Sequence, residues 1–312
     1  MTSSRSFLSR RAVLGLAAAL APLAGCAKGR APESAPPSRS PAPTPPSAST
    51  AGDRHRRLAE LERKYDARLG VYALATGTGA TVAHRADERF AFCSTFKGLA
   101  AAAVLHRHPL SHLDTIVTYT EADLMKHAPI TRKHVTSGMT VGQVCDAAIR
   151  FSDGTAGNLL LREIGGPGQL TAFTRSLGDT VTRMDRTEPA ITEATPGDPR
   201  DTSSPRAFGT DYQKVVLGNV LAADKRAFLR DLLERNETGA RRIRAAVPRG
   251  WTVADKTGTG DYGTLNDIAV VWPAKSAPPL LISIMSSKSA EDAAYDQALI
   301  AEAAEYVVHT LH

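Results

Sequence analysis

Phe90-Ala91-Phe92-Cys93-Ser94-Thr95-Phe96-Lys97-Gly98-Leu99 is the stretch from which the rest of the chain can be read. The Ala-rich residues after Lys97 predict a helix that runs as far as Pro109 and begins at or near Ser94. Residues three apart share a helix face, so the Ser94 hydroxyl and the Lys97 amine come side by side, where the amine can polarise or deprotonate the hydroxyl. The N–H groups left free at a helix start suit a developing oxyanion. A serine at a helix start is also the ordinary capping residue, and this turn alone fits that reading at least as well. The surrounding Phe90, Phe92, Phe96 and Leu99 matter because a lysine in apolar company must find a partner or lose its charge.

Working outward, the net charge of +6 is concentrated at the N-terminus. Setting aside residues 1–50, with six Lys/Arg and one Glu, takes the chain's 38 basic and 32 acidic residues to a net +1. A nearly neutral folded part argues against an extended nucleic-acid surface. Arg10-Arg11 opens a twin-arginine pattern, and the apolar run Ala12 to Ala24 is too short for a membrane span. The run ends in Leu23-Ala24-Gly25-Cys26, which looks like a lipobox, so residues 1–26 are expected to be an export signal with Cys26 lipidated. Residues 27–52, rich in Pro, Ser and Ala, are expected to be a tether unable to bury a core. The expected location is outside the cytoplasm, on the cell membrane or partly secreted. Cys93 and Cys145 remain, and both are expected to be free and buried.

The folded part, 53–312, is expected to begin with a helix capped by Asp53 and carrying Leu58, Leu61 and Tyr65 on one face. A hairpin follows, Leu69–Ala75 and Ala80–His84, around Gly77-Thr78-Gly79. Helical patterns dominate from Ser94 to about Glu234, including Val141–Phe151, Thr155–Ile164 and Phe208–Leu217. Strands return at Trp251–Lys256, Asp267–Trp272 and Leu280–Met285, and an amphipathic helix with Leu299, Ile300, Ala303, Val307 and Leu311 closes the chain. The expected fold class is α/β (α+β): an antiparallel sheet built from residues 53–85 and 243–312, flanked by helices, with an all-helical lobe, 86–242, inserted between them.

Two more stretches carry polar groups of the kind a serine acyltransferase needs. Ser152-Asp153-Gly154 breaks two helices, and Ser152 there can relay a proton; either Ser152 or Asp153 can equally cap the next helix. Lys256-Thr257-Gly258-Thr259-Gly260 ends a predicted strand, where a lysine and hydroxyls can hold a carboxylate and the glycines admit a close backbone.

With S-x-x-K, S-D-x and K-T-G in this order, the chain resembles a class A serine β-lactamase from about Asp53 to its C-terminus. The shared stretches include Phe92 to Lys97, Arg186-Thr187-Glu188-Pro189, Pro196 to Thr202 and Ala254 to Gly260. The resemblance implies the serine β-lactamase and penicillin-binding-protein fold and hydrolysis of β-lactam antibiotics, with no cofactor and no metal. It implies Ser94 as nucleophile, with its own N–H and that of Thr259 as oxyanion hole. Lys97 and Glu188 would share the proton transfers of acylation, and Glu188 would activate the deacylating water. Ser152 would protonate the ring nitrogen with help from Lys256, and Thr257, Thr259 and Arg244 would bind the substrate carboxylate. Asn158 and an Arg186–Asp201 ion pair would brace the Glu188 loop. Arg241 and Arg242 are expected to be solvated surface charges.

The chain departs from the family pattern at four places: Thr192 replaces the asparagine that helps hold the water, Gly154 ends the S-D-x triplet without an amide, His127 takes the place of an aromatic gate residue, and Leu265 stands where many members carry the assisting arginine after K-T-G, which is why Arg244 of the preceding segment is expected to supply it. These bear on substrate handling and turnover. The competing readings are a penicillin-binding DD-peptidase, which Glu188 and its loop argue against, and a tethered sensor that acylates and holds, which the lipobox and linker would suit but for which a transmembrane helix and a cytoplasmic partner domain are missing from the sequence. The expected partners are β-lactam substrates, no nucleic acid, and a membrane only through the lipid anchor, on a monomer.

Overall fold

The computed structural model describes residues 55–274 and 277–312. Cys26, the export signal, the tether and the capping residue Asp53 lie outside the described residues.

The chain runs through α1 (Arg56–Tyr65), β1 (Arg68–Ala75), β2 (Thr81–His84), β3 (Phe90–Ala91) and α2 (Phe96–Arg107). It continues with β4 (Ile116–Val117), β5 (Met139–Thr140), α3 (Val141–Arg150), α4 (Gly154–Ile164) and α5 (Pro167–Ser176). Then come β6 (Thr202–Ser203), α6 (Pro205–Val216), α7 (Ala223–Glu234), α8 (Ile243–Ala246), β7 (Thr252–Thr259), β8 (Leu265–Trp272), β9 (Leu280–Ser287) and α9 (Gln297–Leu311). Five strands form one antiparallel sheet in the order β2-β1-β9-β8-β7, so the two ends of the chain meet in it as expected.

The central strands read as near-continuous apolar runs because both faces of the sheet are covered. Alternate residues go to separate cores. Ile268 and Val270 of β8, with Leu281 and Met285 of β9, join the core shared with the helices of 96–234. Leu265, Ala269, Val271, Ile282 and Ile284 instead pack with Leu58 and Leu61 of α1 and Leu299, Ile300 and Val307 of α9. Helix α6 lies on the sheet's inner face, with Phe208, Tyr212 and Val215 in the first of these cores. At the centre, α2 is buried from Phe96 to Leu105, which explains its run of four alanines where neighbouring helices come close. Cys93 and Cys145 are both free and buried, as expected.

One buried polar pair carries a consequence for stability. Asp211 of α6 is buried, no donor reaches either of its carboxyl oxygens, and its neighbour is another acid, Asp179. Asp179 accepts the N–H groups of Val181 and Thr182 and stays ionised. Burial and then the Asp179 charge push Asp211 up to about 9, so Asp211 is the partner that keeps a proton. Its unfolded value is near 3.8, so the native state holds the extra proton between the two values and stability falls as pH rises across that window. Asp211→Asn supplies donors without proton uptake. We expect it to raise the melting temperature by on the order of 5 °C at pH 8 and by clearly less at pH 5. Equal gains in thermal melts at the two pH values would remove this explanation.

Candidate active site

Ser94 sits in a single 3-10 turn, Cys93–Thr95, immediately before α2, rather than in the α-helix itself. The turn is entered through Cys93 in the left-handed region (φ 47°), a costly conformation for a residue with a side chain. The Ser94 hydroxyl does no capping. It accepts from Lys97 Nζ at 2.9 Å and donates to Glu188 Oε1 at 3.1 Å, while Lys97 Nζ and Glu188 Oε1 lie 2.6 Å apart. Lys97 is fully buried and also donates to the Ser152 carbonyl at 2.8 Å. It has room because Gly157 of α4 faces it: a Cβ there would lie 2.5 Å from the lysine's Cε.

The two capping readings of Ser152-Asp153 separate cleanly. Asp153, fully buried, caps α4 by accepting from Ala156 N at 2.9 Å and also holds the N–H groups of Ile130 and Thr131. Ser152 takes no part in the cap. Its backbone is left-handed (φ 55°), and its hydroxyl accepts from Lys256 Nζ at 3.0 Å. Lys256 is fully buried on β7; burial first, then the Lys97 charge, hold it well below the usual lysine range. Helix α4 starts at Gly154, whose N–H donates to the carbonyl of exposed His127 at 2.8 Å. A Cβ on Gly154 would stand 2.7 Å from Glu188 Oε2, so the departure at this position leaves space for the carboxylate itself.

The loop carrying Glu188 is fixed from three sides. Asn158 grips its backbone twice, donating to Glu188 O at 3.0 Å and accepting from Glu188 N at 2.9 Å. Arg186 Nε donates to Asp201 Oδ2 at 2.6 Å, and Asp201 also accepts the N–H groups of Asp185 and Arg186. Thr192 closes a local turn: its hydroxyl donates to Pro189 O at 2.7 Å, which leaves only its lone pairs for another partner.

Strand β7 extends through Thr259, so the whole Lys256-Thr257-Gly258-Thr259 segment is strand. Gly260 N donates to Thr264 O, which makes Gly260–Thr264 a hydrogen-bonded pair and Thr259–Leu265 a non-bonded one. The Thr259 N–H therefore points away from β8, along the open edge of the sheet. Gly258 brings that edge against the Ser94 turn, with room for no side chain between it and the Phe92 carbonyl.

The expectation for Arg244 is corrected here. Arg244 turns inward, donating to Asp255 Oδ1 at 2.5 Å and to the carbonyls of Leu233 and Glu234. It is Arg242, expected on the surface, that is buried and reaches the pocket: Nη2 donates to Thr259 Oγ1 at 2.8 Å, and Nη1 to the carbonyls of Gly258 and Asn266. Arg242 stands just before α8 with non-helical backbone (φ −114°, ψ −124°), so its side chain leaves in a direction that helical spacing from Arg244 does not give. Thr238 is a second group missing from the sequence reading; its hydroxyl lies 2.5 Å from that of Thr257. We expect Arg242→Ala to raise KM about tenfold for carboxylate-bearing substrates with a smaller effect on kcat, because it removes ground-state binding. Steady-state kinetics that moved kcat alone would contradict that role.

Residues 53–311 match the model of the Beta-lactamase enzyme family. The chain is 52% identical over 308 residues to a β-lactamase of Mycobacterium tuberculosis, covering 97% of each chain. It is 49% identical over 258 residues to β-lactamase 3 of Bacillus cereus, covering 83% of this chain and 81% of that one. Among solved structures it is similar to a halotolerant bacterial β-lactamase, with TM-score 0.81 and 50% identity over 82% of this chain and 98% of the other. It is equally similar to the class A β-lactamase of Clostridium kluyveri, with TM-score 0.81 and 47% identity over 82% of this chain and 97% of the other.

Proposed function

The chain belongs to the β-lactamase enzyme family and hydrolyses β-lactam antibiotics, conferring resistance to them, and we propose that it does so through a Ser94 acyl-enzyme released by a Glu188-activated water. The observation that carries this reading is the contact of Glu188 Oε1 with both Ser94 Oγ and Lys97 Nζ, at 3.1 and 2.6 Å.

Lys97 donates to the Ser94 oxygen while the hydroxyl proton faces Glu188, so the two share the proton transfer as Oγ attacks the ring carbonyl. The oxyanion is received by the N–H groups of Ser94 and Thr259. Ser152 protonates the ring nitrogen as the C–N bond opens, and Lys256, whose hold on its proton is weakened by burial, resupplies that hydroxyl. Thr257, Thr259 and Arg242 bind the substrate carboxylate. The proton that left Ser94 replaces the one given up through Ser152 and Lys256, so Glu188 is ionised again; Glu188 then takes a proton from the water that attacks the ester and returns it to Ser94 Oγ as the C–O bond breaks. A penicillin-binding protein or sensor would stop at the acyl-enzyme. The test is a time course with a chromogenic cephalosporin: a steady rate supports the proposal, and a single stoichiometric burst from the unaltered enzyme contradicts it.

The remaining proposals rest on the sequence. The twin-arginine segment exports the protein, Cys26 anchors it by lipid outside the cytoplasm, and it acts as a monomer. Cys26→Ala is expected to move the activity from the membrane fraction to the soluble one. Unchanged fractionation would argue against the anchor.

A further inference from the structure

His108, His112 and Glu163 meet at the ends of α2 and α4 opposite to the reaction site. His108 follows the last residue of α2, His112 lies in the 3-10 turn Leu110–Asp114, and Glu163 is in the last turn of α4. The two imidazoles are stacked with centroids 4.0 Å apart and planes at 16°. Glu163 Oε1 is 2.7 Å from His112 Nε2 and 3.8 Å from His108 Nε2, and the three ligand atoms lie within 4.8 Å of one another. His108 Nε2 is out of solvent and makes no hydrogen bond, an arrangement that wastes a polar atom unless something else fills it. The neighbouring cations do not compete for the carboxylate: Arg107 donates to Ile164 O and Lys225 to His108 O.

We propose that His108, His112 and Glu163 form a binding site for one divalent transition-metal ion of the zinc class. Two imidazoles and one carboxylate with a free fourth position make a donor set for such an ion. Metal–ligand bonds of about 2.0–2.1 Å in a tetrahedron put ligand atoms roughly 3.3 Å apart. One distance here is shorter than that and the other longer, and because each nitrogen's lone pair lies in its ring plane, the two stacked rings must turn out of their stack for both to point at one ion. Thr115 Oγ1, 3.4 Å from His112 Nδ1, is placed to hold the second nitrogen of that ring. The ion would staple the C-terminal ends of the two helices whose N-terminal ends carry Lys97 and Gly154. At about 1.5 Å per residue along α2 it sits roughly 17 Å from Lys97, too far to touch the acyl chemistry. Its effect is therefore on stability: an ion bound only by the folded state raises the melting temperature.

The test titrates the purified full-length protein with Zn²⁺ by calorimetry and with Co²⁺ by visible absorption. The expected result is one saturable site, a melting temperature raised by roughly 5 °C at an ion concentration 100 times Kd, and a Co²⁺ band of tetrahedral strength. His112→Ala and the milder His108→Gln and Glu163→Gln should each weaken binding at least 30-fold and abolish the band. All three should hydrolyse a chromogenic cephalosporin at the unaltered rate, which also certifies that they are folded. His309→Ala, remote in sequence on α9, should bind as the parent does. Absence of saturable binding, or equal affinity in the parent and in folded His108→Gln and Glu163→Gln, would overturn the proposal.

Discussion

Ser94→Ala is expected to lower kcat/KM for a penicillin by about 10⁴- to 10⁶-fold, the scale seen when a nucleophile that works as part of a unit is removed. The oxygen lost is the one that both Lys97 and Glu188 address, at 2.9 and 3.1 Å. Without it, those two groups keep their own 2.6 Å ion pair, so no buried charge is left alone. The substitution removes one hydroxyl and creates no large cavity. The melting temperature should therefore change by no more than the equivalent of about 1 kcal/mol, and binding of intact substrate should persist. That separation of activity from stability is what a nucleophile predicts. A serine that merely held the turn would, when removed, cost stability and activity together.

Glu188→Gln is expected to convert the enzyme into a trap. The amide keeps the length and the grip of Asn158 on the Glu188 backbone, and the Arg186–Asp201 clamp is untouched, so the loop should stay in place. The amide cannot accept a proton from water. Deacylation should therefore slow by about 10³-fold, the usual worth of a general base, and acylation by less, because Lys97 still contacts Ser94. With a chromogenic cephalosporin the expected trace is one stoichiometric burst and then a nearly flat line, against a steady slope for the parent. A variant that kept a steady slope at a tenth or more of the parental rate would mean that Glu188 positions the loop and does not act on water.

Much of this is legible in the amino-acid sequence. The sheet could be read from its two ends because β8 and β9 are apolar on both faces and the turns between strands are polar or glycine-rich. Ser94 with Lys97 could be paired because one turn of chain fixes their separation. What could not be read depends on direction rather than spacing. Helical periodicity cannot distinguish Arg242 from Arg244, because the backbone leaves the helix between them and one guanidinium goes to Thr259 while the other goes to Asp255. The division of labour between Ser152 and Asp153 likewise rests on the left-handed backbone of Ser152, which a non-glycine residue adopts only when its surroundings impose it. The two-residue strands β3 and β6 are too short to leave a pattern, yet they tie the start of the Ser94 segment to the end of the Glu188 loop through Phe90–Ser203 and Ala91–Thr202. The packing of α6 on the sheet was hidden for a similar reason, since a helix inside a helical stretch does not announce which neighbour it will meet.

Turnover requires that a covalent Ser94 ester is formed and that Glu188 removes it. Intact-mass spectrometry of the Glu188→Gln protein, seconds to minutes after mixing with a penicillin, tests both halves at once. The predicted result is near-complete conversion to a species heavier by the full mass of the penicillin, with the added mass on the peptide that contains Ser94 and no such species from Ser94→Ala. An unmodified mass at every time, or an adduct on another residue, would contradict the account.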